Sequence, residues 1–302
     1  MRLPRHKSPL DAFYHLITHV AGHFGHYPLQ KPEPCRELIH RIRFYTRVYC
    51  CRLVAFEILG SHYHLIVFFR RFRRLPLRKL RRRAQLLYGS RFTLVTRHWT
   101  AADWEKFNHK LFDLSAFMHH LNGEYAKWYN QEYNRRGHFW AGRFKNTELL
   151  DARAVQNCLF YVELNALKAG MVKRAGQWKG GSAWARMQGR DRDLMPIEKL
   201  FDGGPKQAFE AWRQQLVLQG LMISRWRQGR VLGSQEAEAE LSTALWRERF
   251  WTDGIAVGGR EEVEQVLRDY RQQGLFTRRC RATRQPGQHT YSLREQRSHA
   301  RW

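Results

Sequence analysis

Acidic residues are scarce in this chain: 27 Asp and Glu stand against 53 Lys and Arg, a formal net charge of +26 over 302 residues. Such an imbalance points to a polyanionic partner, with nucleic acid first and an anionic membrane surface second. Long apolar runs are missing too. No stretch of about 18 apolar residues exists, which excludes a transmembrane helix. The opening "MRLPRHKSPLDAFYH" lacks the apolar core of a secretory signal. Cysteine is sparse: Cys35, Cys50, Cys51, Cys158 and Cys280 form no CxxC pair and no regular framework. A zinc finger is thereby excluded, and a reducing, intracellular setting is expected. Neither an internal repeat nor a long low-complexity segment is present. Hydrophobic residues make up 43%, enough for a sizeable core and for two domains.

What is there is concentrated in "FEILGSHYHLIVFF", residues 56–69. In a strand, residues i and i+2 share a face. His62 and His64 then project side by side, and Tyr63, Leu65, Val67 and Phe69 share the other face. A run apolar on both faces is a central strand rather than a wet edge. Burying an unpaired polar group costs roughly 1–3 kcal/mol, so both rings need partners. Either they are core histidines bonded to backbone, or two neutral nitrogens converge on a metal.

Periodicity orders the rest. Residues 12–22 form a first strand ending at Gly22. Residues 32–49 form a helix with Pro34 near its start. Residues 50–59 form a second strand, joined to the histidine strand through Gly60 and Ser61 as a hairpin. A long amphipathic helix spans 111–133, with Leu114, Phe117, Met118, Leu121, Tyr125 and Trp128 on one stripe. A fourth strand lies within 138–150. Asp151 caps a last helix that runs to about Leu167, with Gly170 just beyond it. The first six elements follow the β-α-β-β-α-β order, which predicts an α+β fold of ferredoxin-like split βαβ type: an antiparallel sheet with helices on one face. Residues 1–185 are expected to form this domain. Residues 186–302 are expected to be a helical extension with helices in 207–221, 234–250 and 260–273 and a loosely ordered basic tail.

On a wheel of the last helix, Val155, Leu159, Val162 and Ala166 form the apolar stripe. Asn157, Tyr161, Asn165 and Lys168 lie opposite. That polar stripe is either an ordinary wet face or the lining of a phosphate site. The chemistry that would unite these residues is phosphoryl transfer. A divalent cation on a non-bridging oxygen removes the repulsion a phosphodiester offers to an incoming oxyanion. Two imidazoles and an amide oxygen form a neutral ligand set for Mg²⁺ or Mn²⁺. A tyrosine oxygen can then attack phosphorus and hold it covalently. Residues 70–83, "RRFRRLPLRKLRRR", are either a solvated basic face or a contact to phosphates, through Arg70, Arg71, Arg73 and Arg74 directly after the histidine strand. Trp140 and Arg143 are either a core aromatic and a surface cation or a clamp on single-stranded DNA. His19, His23 and His26 are a weak ligand set, because Gly22 and Gly25 break any helix between them.

"SHYHLIVFF" resembles the histidine–hydrophobic–histidine strand of the single-tyrosine transposases. "HFWAGRFKNTELLDARAVQNCLFYVELNALKAGMV" resembles that family's closing block, and the nearest branch is the REP-associated tyrosine transposases. The likeness covers roughly residues 10–185. It implies His62 and His64 as metal ligands, Tyr161 as the nucleophile forming a 5′-phosphotyrosine, and Asn165 as a third metal-proximal group. It also implies that the chain cleaves and rejoins structured single-stranded or hairpin DNA with Mg²⁺ or Mn²⁺, in a bacterial cytoplasm and associated with the nucleoid. Ser61 stands where the family usually has Asn, and Asn165-Ala166 where it has Asn-Pro. These departures leave open a relative that binds hairpins without cleaving them. A replication or mobilisation nuclease is disfavoured, because the tyrosine lies well after the histidines. Arg143 and Lys168 join the four block arginines as candidate DNA contacts. Monomer and homodimer are both open.

Overall fold

A computed structural model of the chain describes residues 7–22, 25–228, 251, 254–274, 281–284 and 290–294. The expected helix in 234–250, together with His23 and Cys280, lies outside them.

The first strand, β1, spans Ala12–His19; helix α1 spans Pro32–Val48; strands β2 and β3 span Cys51–Ile58 and His62–Phe69. Helix α2 (Leu77–Tyr88), the short α3 (Phe92–Thr96) and α4 (Ala101–Leu111) precede the long α5 (Leu114–Glu132). Strand β4 (Lys145–Leu149) leads to α6 (Ala152–Glu163), the one-turn α7 (Asn165–Lys168) and α8 (Ser182–Met187). Helix α9 (Pro205–Arg227), strand β5 (Gly254–Gly258), helix α10 (Arg260–Gln272) and strands β6 (Ala282–Arg284) and β7 (Tyr291–Arg294) complete the described elements.

The sheet order is β2-β3-β1-β4-β5-β7-β6. All pairs are antiparallel except β4 with β5. The first four strands with α1 and α5 are the split βαβ arrangement that the order of elements predicts. One face carries Tyr14, Leu16, Phe56, Tyr63, Leu65 and Val67, packed against Leu38 and Ile42 of α1 and Phe117, Met118 and Leu121 of α5. The additional helix α6 takes the other face, where Ile66, Val54 and Ala55 meet Val155, Leu159 and Val162. Residues from beyond position 185 belong to that second core, with Trp212, Leu216 and Ile223 of α9 fully buried in it.

Local chemistry accounts for the boundaries that were legible. Asp151 Oδ1 accepts from the Ala154 N–H at 2.7 Å and caps α6. Gly170, at φ +74°, follows α7 where an L side chain would be strained. Beyond residue 186, α9 and α10 are the expected helices. Strands β5, β6 and β7 add to this helical region, and two of them lie in the tail expected to be loosely ordered. Their lengths of three to five residues explain the miss. A five-residue run with glycine at both ends carries too little period-2 signal to stand out, and its stability comes from pairing with β4.

Candidate functional site

Strand β3 is central, as its two apolar faces require, and its register with β1 builds the site. His19 lies opposite His62, Ile17 opposite His64, and His15 opposite Ile66. Because i and i+2 share a face, His15, His19, His62 and His64 form one polar patch on the face that α6 covers. The His62 and His64 ring centroids are 5.0 Å apart at 79°, and those of His19 and His62 are 4.9 Å apart. His62 Nδ1 lies 3.2 Å from Ser61 Oγ. His64 is fully buried, with its Nδ1 2.9 Å from His15 Nε2. Among the described residues, His64 Nε2 is buried without a hydrogen-bond partner. Burial, then the neighbouring His19, draws the His62 ring down to about 4. Burial, then His62 and His15, holds His64 well below the usual imidazole range. Both rings are therefore neutral at pH 7, the state in which imidazole nitrogens bind metal.

Tyr161 stands over this patch. Its ring meets His64 edge-on at 5.6 Å and His15 edge-on at 5.8 Å, and Lys168 Nζ lies 4.4 Å from its centroid. The Trp251 ring lies 5.7 Å away, tilted by 30°. The polar stripe of the wheel is thus not a wet face. α6 is enclosed between the sheet and α9, so Tyr161 is only 4% exposed. Within the stripe, Tyr161 lies on the sheet's histidines and Lys168 lies over Tyr161. Tyr125, by contrast, is fully buried in the core on the opposite face.

A β-bulge between Leu53 and Ala55 shifts the parity of β2, so that Glu57 lies opposite His64 while Phe56 and Ile58 face the other core. Glu57 Oε1 accepts from the Ala166 N–H at 3.2 Å, satisfying an orphan donor of α7 immediately after Asn165. Burial, reinforced by Glu163, pushes the Glu57 carboxyl well up and favours its neutral form. Glu163 is held by the Ser182 hydroxyl at 2.7 Å and the Trp212 indole N–H at 2.8 Å, with Arg186 Nε at 3.7 Å. Asn165 is half-buried, with its amide nitrogen lacking a partner among the described residues. No group of three or more His, Cys, Asp and Glu side chains is arranged to hold a metal among the described residues. Of the ligands expected from the sequence, His62 and His64 share this patch, their ring centroids 5.0 Å apart.

The basic block lies elsewhere. Arg70 is six residues along β3 from His64, about 20 Å at about 3.3 Å per residue. Following the strand in sequence therefore places the block at the far end of the sheet, away from the histidines. There, Arg47, Arg52, Arg70, Arg73, Lys79, Arg82 and Arg192 line one groove. Arg83 also lines it, but its guanidinium donates to the Arg47, Val48 and Tyr49 carbonyls and closes the end of α1. Arg71 and Arg74 are exposed outside the groove lining, and Arg74 pairs with Glu105 at 3.0 Å. Arg143 is exposed on the segment that runs beside β1 between the Ala141–His19 hydrogen bond and the Lys145–Ile17 pair, at the histidine end. Trp140 packs on Tyr63 and Tyr125 on the opposite face and donates its indole N–H to the Asn122 carbonyl at 2.8 Å, the core reading of that residue.

Several residues escaped sequence reasoning. His15 had one available signal, its i, i+4 spacing from His19 within a strand. Glu57, Trp251 and the groove cations from other elements had none, because register and tertiary approach bring them in. No family model and no curated protein matches the chain. A solved structure, a REP-associated tyrosine transposase bound to a REP hairpin, is 15% identical with a TM-score of 0.40, over 68% of this chain and 93% of that one. A likeness of that size is too weak to assign either fold or activity. No helix among the described residues is long and apolar enough to cross a membrane.

Proposed function

We propose that this protein binds structured single-stranded DNA and cleaves and rejoins it through Tyr161. The observation that carries the reading is the edge-on packing of the Tyr161 ring on His64, within the patch formed by His62 and His64. A candidate nucleophile and two neutral candidate ligands, about a hundred residues apart in the chain, converge on one sheet face. The Tyr161 oxygen attacks phosphorus, the leaving 3′-oxygen departs with a proton, and a 5′-phosphotyrosine remains. Because bond energy is conserved in that ester, a free 3′-OH reverses the step and rejoins a strand.

The donor set suits Mg²⁺ or Mn²⁺ bound by His62 and His64 with the amide of Asn165, since a buried ring nitrogen lacks a partner there. When bound, such a cation neutralises charge on a non-bridging phosphate oxygen. Lys168, over the Tyr161 ring, adds positive charge at the same place. Phosphates further along the DNA meet the groove of Arg70, Arg73, Lys79 and Arg82, and Arg143 faces DNA at the histidine end. His62, His64 and Tyr161 lie within residues 1–185, and the groove and the tyrosine are separate contacts of one DNA molecule.

A second reading is favoured by one observation. Tyr161 is 4% exposed, so DNA reaches it only when neighbouring groups such as Trp251 give way. A protein that keeps the fold for hairpin binding and has lost cleavage would show the same burial. The test is cleavage of a labelled DNA hairpin in a Mn²⁺ titration by the wild type and His64→Ala. Cleavage by the wild type alone supports the enzyme. Tight hairpin binding by both without cleavage supports the binding protein.

A further inference from the structure

His15 has hydrogen bonds to both of its ring nitrogens, and each bond fixes a proton. Its Nδ1 lies 2.7 Å from the Trp251 carbonyl oxygen. A carbonyl only accepts, so His15 Nδ1 carries the proton. His15 is 1% exposed, an environment that disfavours an imidazolium, so the ring is neutral and its Nε2 bears a lone pair. That Nε2 is 2.9 Å from His64 Nδ1, which must therefore be the donor. His64 is likewise neutral, so its lone pair is on Nε2, the nitrogen without a partner among the described residues. The ring geometry agrees. The two rings are within 9° of parallel with centroids 5.1 Å apart, too far for face contact at about 3.5–4.0 Å. They lie edge to edge in nearly one plane, which an in-plane N–H···N bond requires.

We propose that His15 is a positioning residue, held by the Trp251 carbonyl, that locks His64 in its Nδ1–H tautomer and aims the Nε2 lone pair into the site. The tautomer follows from the hydrogen bonds and the burial of the two rings; its use in metal binding rests on the function proposed above. Outer-shell partners of this kind fix ring orientation and raise ligand basicity, and their loss typically costs about 10–100-fold in metal affinity. The arrangement also makes Trp251 part of the site. Thr147 Oγ1 donates to the same carbonyl at 2.9 Å and ties Trp251 to β4.

The test uses the full chain, metal-free at pH 7.5, with ¹⁵N imidazole shifts assigned through His15→Gln, His15→Phe and His64→Ala. In the wild type, His64 should show a protonated Nδ1 and an unprotonated Nε2. His15→Phe fills the space without an acceptor, so this preference should be lost and Mn²⁺ affinity should fall about 10–100-fold. His15→Gln offers an amide oxygen to His64 and an amide N–H to the carbonyl, so it should restore both. A wild-type His64 protonated on Nε2 overturns the proposal, and so does an unchanged tautomer in folded His15→Phe. Should that variant fail to fold, the wild-type spectrum decides. If His64→Ala leaves Mn²⁺ affinity unchanged, the metal role of His64 fails while the tautomer result stands apart from it.

Discussion

Replacing Arg70, Arg73, Lys79 and Arg82 together by Gln separates a phosphate-binding groove from a merely solvated basic face. All four line one groove at the end of the sheet remote from the histidines. Each phosphate neutralised releases condensed counterions, so log affinity falls against log salt with a slope of about 0.9 per contact on duplex and about 0.7 on single strands. Four contacts then contribute about 3.6 or about 2.8 to the slope. Between 50 and 200 mM salt, a fourfold change, that share corresponds to about 150-fold in affinity on a hairpin stem and about 50-fold on a single strand. The quadruple variant should lose that part of the salt dependence for every sequence alike, because backbone contacts carry no sequence information. Fluorescence anisotropy of a labelled hairpin from 50 to 300 mM KCl measures it. Arg71→Gln with Arg74→Gln is the matched control. It removes two charges of the same block from outside the groove lining, one already paired with Glu105, and should change the slope less per charge. An unaltered slope in the quadruple variant, or an equal loss per charge in the control, refutes the groove.

Other predictions concern the buried polar groups. His15 is held at about 4 by burial, against an ordinary value of 6.5, so the unfolded chain takes up its proton first and stability is lost as pH falls from about 6.5 toward 4. At pH 5.5 this costs about 1.4 kcal/mol for His15. The raised carboxyl of Glu57 works in the opposite sense, so the readout is a difference: between pH 7.5 and 5.5 in EDTA, the wild type should lose about 1.4 kcal/mol more than His15→Gln by urea unfolding. Equal pH dependence would show that the ring is not kept neutral by the fold. Glu163→Ala leaves the buried Ser182 hydroxyl and Trp212 indole without their acceptor and takes the nearer of two carboxylates from buried Arg186, which keeps Asp191 at 3.8 Å; it should cost about 3–5 kcal/mol, and a cost under about 1 kcal/mol in the same assay would contradict the buried pairing. Gly181→Ala drives a Cβ into the Glu57 carboxyl and should destabilise by at least about 1–3 kcal/mol, while Gly142→Ala, with open space around it, should be near neutral.

Much of this was legible in the sequence where the signal is local. The two-sided apolar run of 62–69 marked a central strand, Asp151 marked the start of α6, and the order of elements marked the four-stranded half of the sheet. The candidate site was half visible. The i, i+2 spacing put His62 and His64 together, and the wheel set Tyr161 apart from the core stripe. The wheel could not say that the polar side of α6 faces histidines, because that depends on the sheet beneath it. His15 enters only through the register of β1 on β3, and Trp251 only through tertiary approach across about ninety residues from Tyr161. The basic block follows the histidine strand in sequence yet begins at its far end, because an eight-residue strand separates its two ends by more than 20 Å.

Tyr161→Phe decides the central claim most directly. The change removes one oxygen and keeps the ring that packs on His64, His15 and Trp251, so the fold and hairpin binding should persist. With labelled hairpin DNA and Mn²⁺ on a denaturing gel, the wild type and the core control Tyr125→Phe should both give a covalent protein–DNA species, and Tyr161→Phe should give none. A covalent species formed by Tyr161→Phe would place the nucleophile elsewhere and contradict the account.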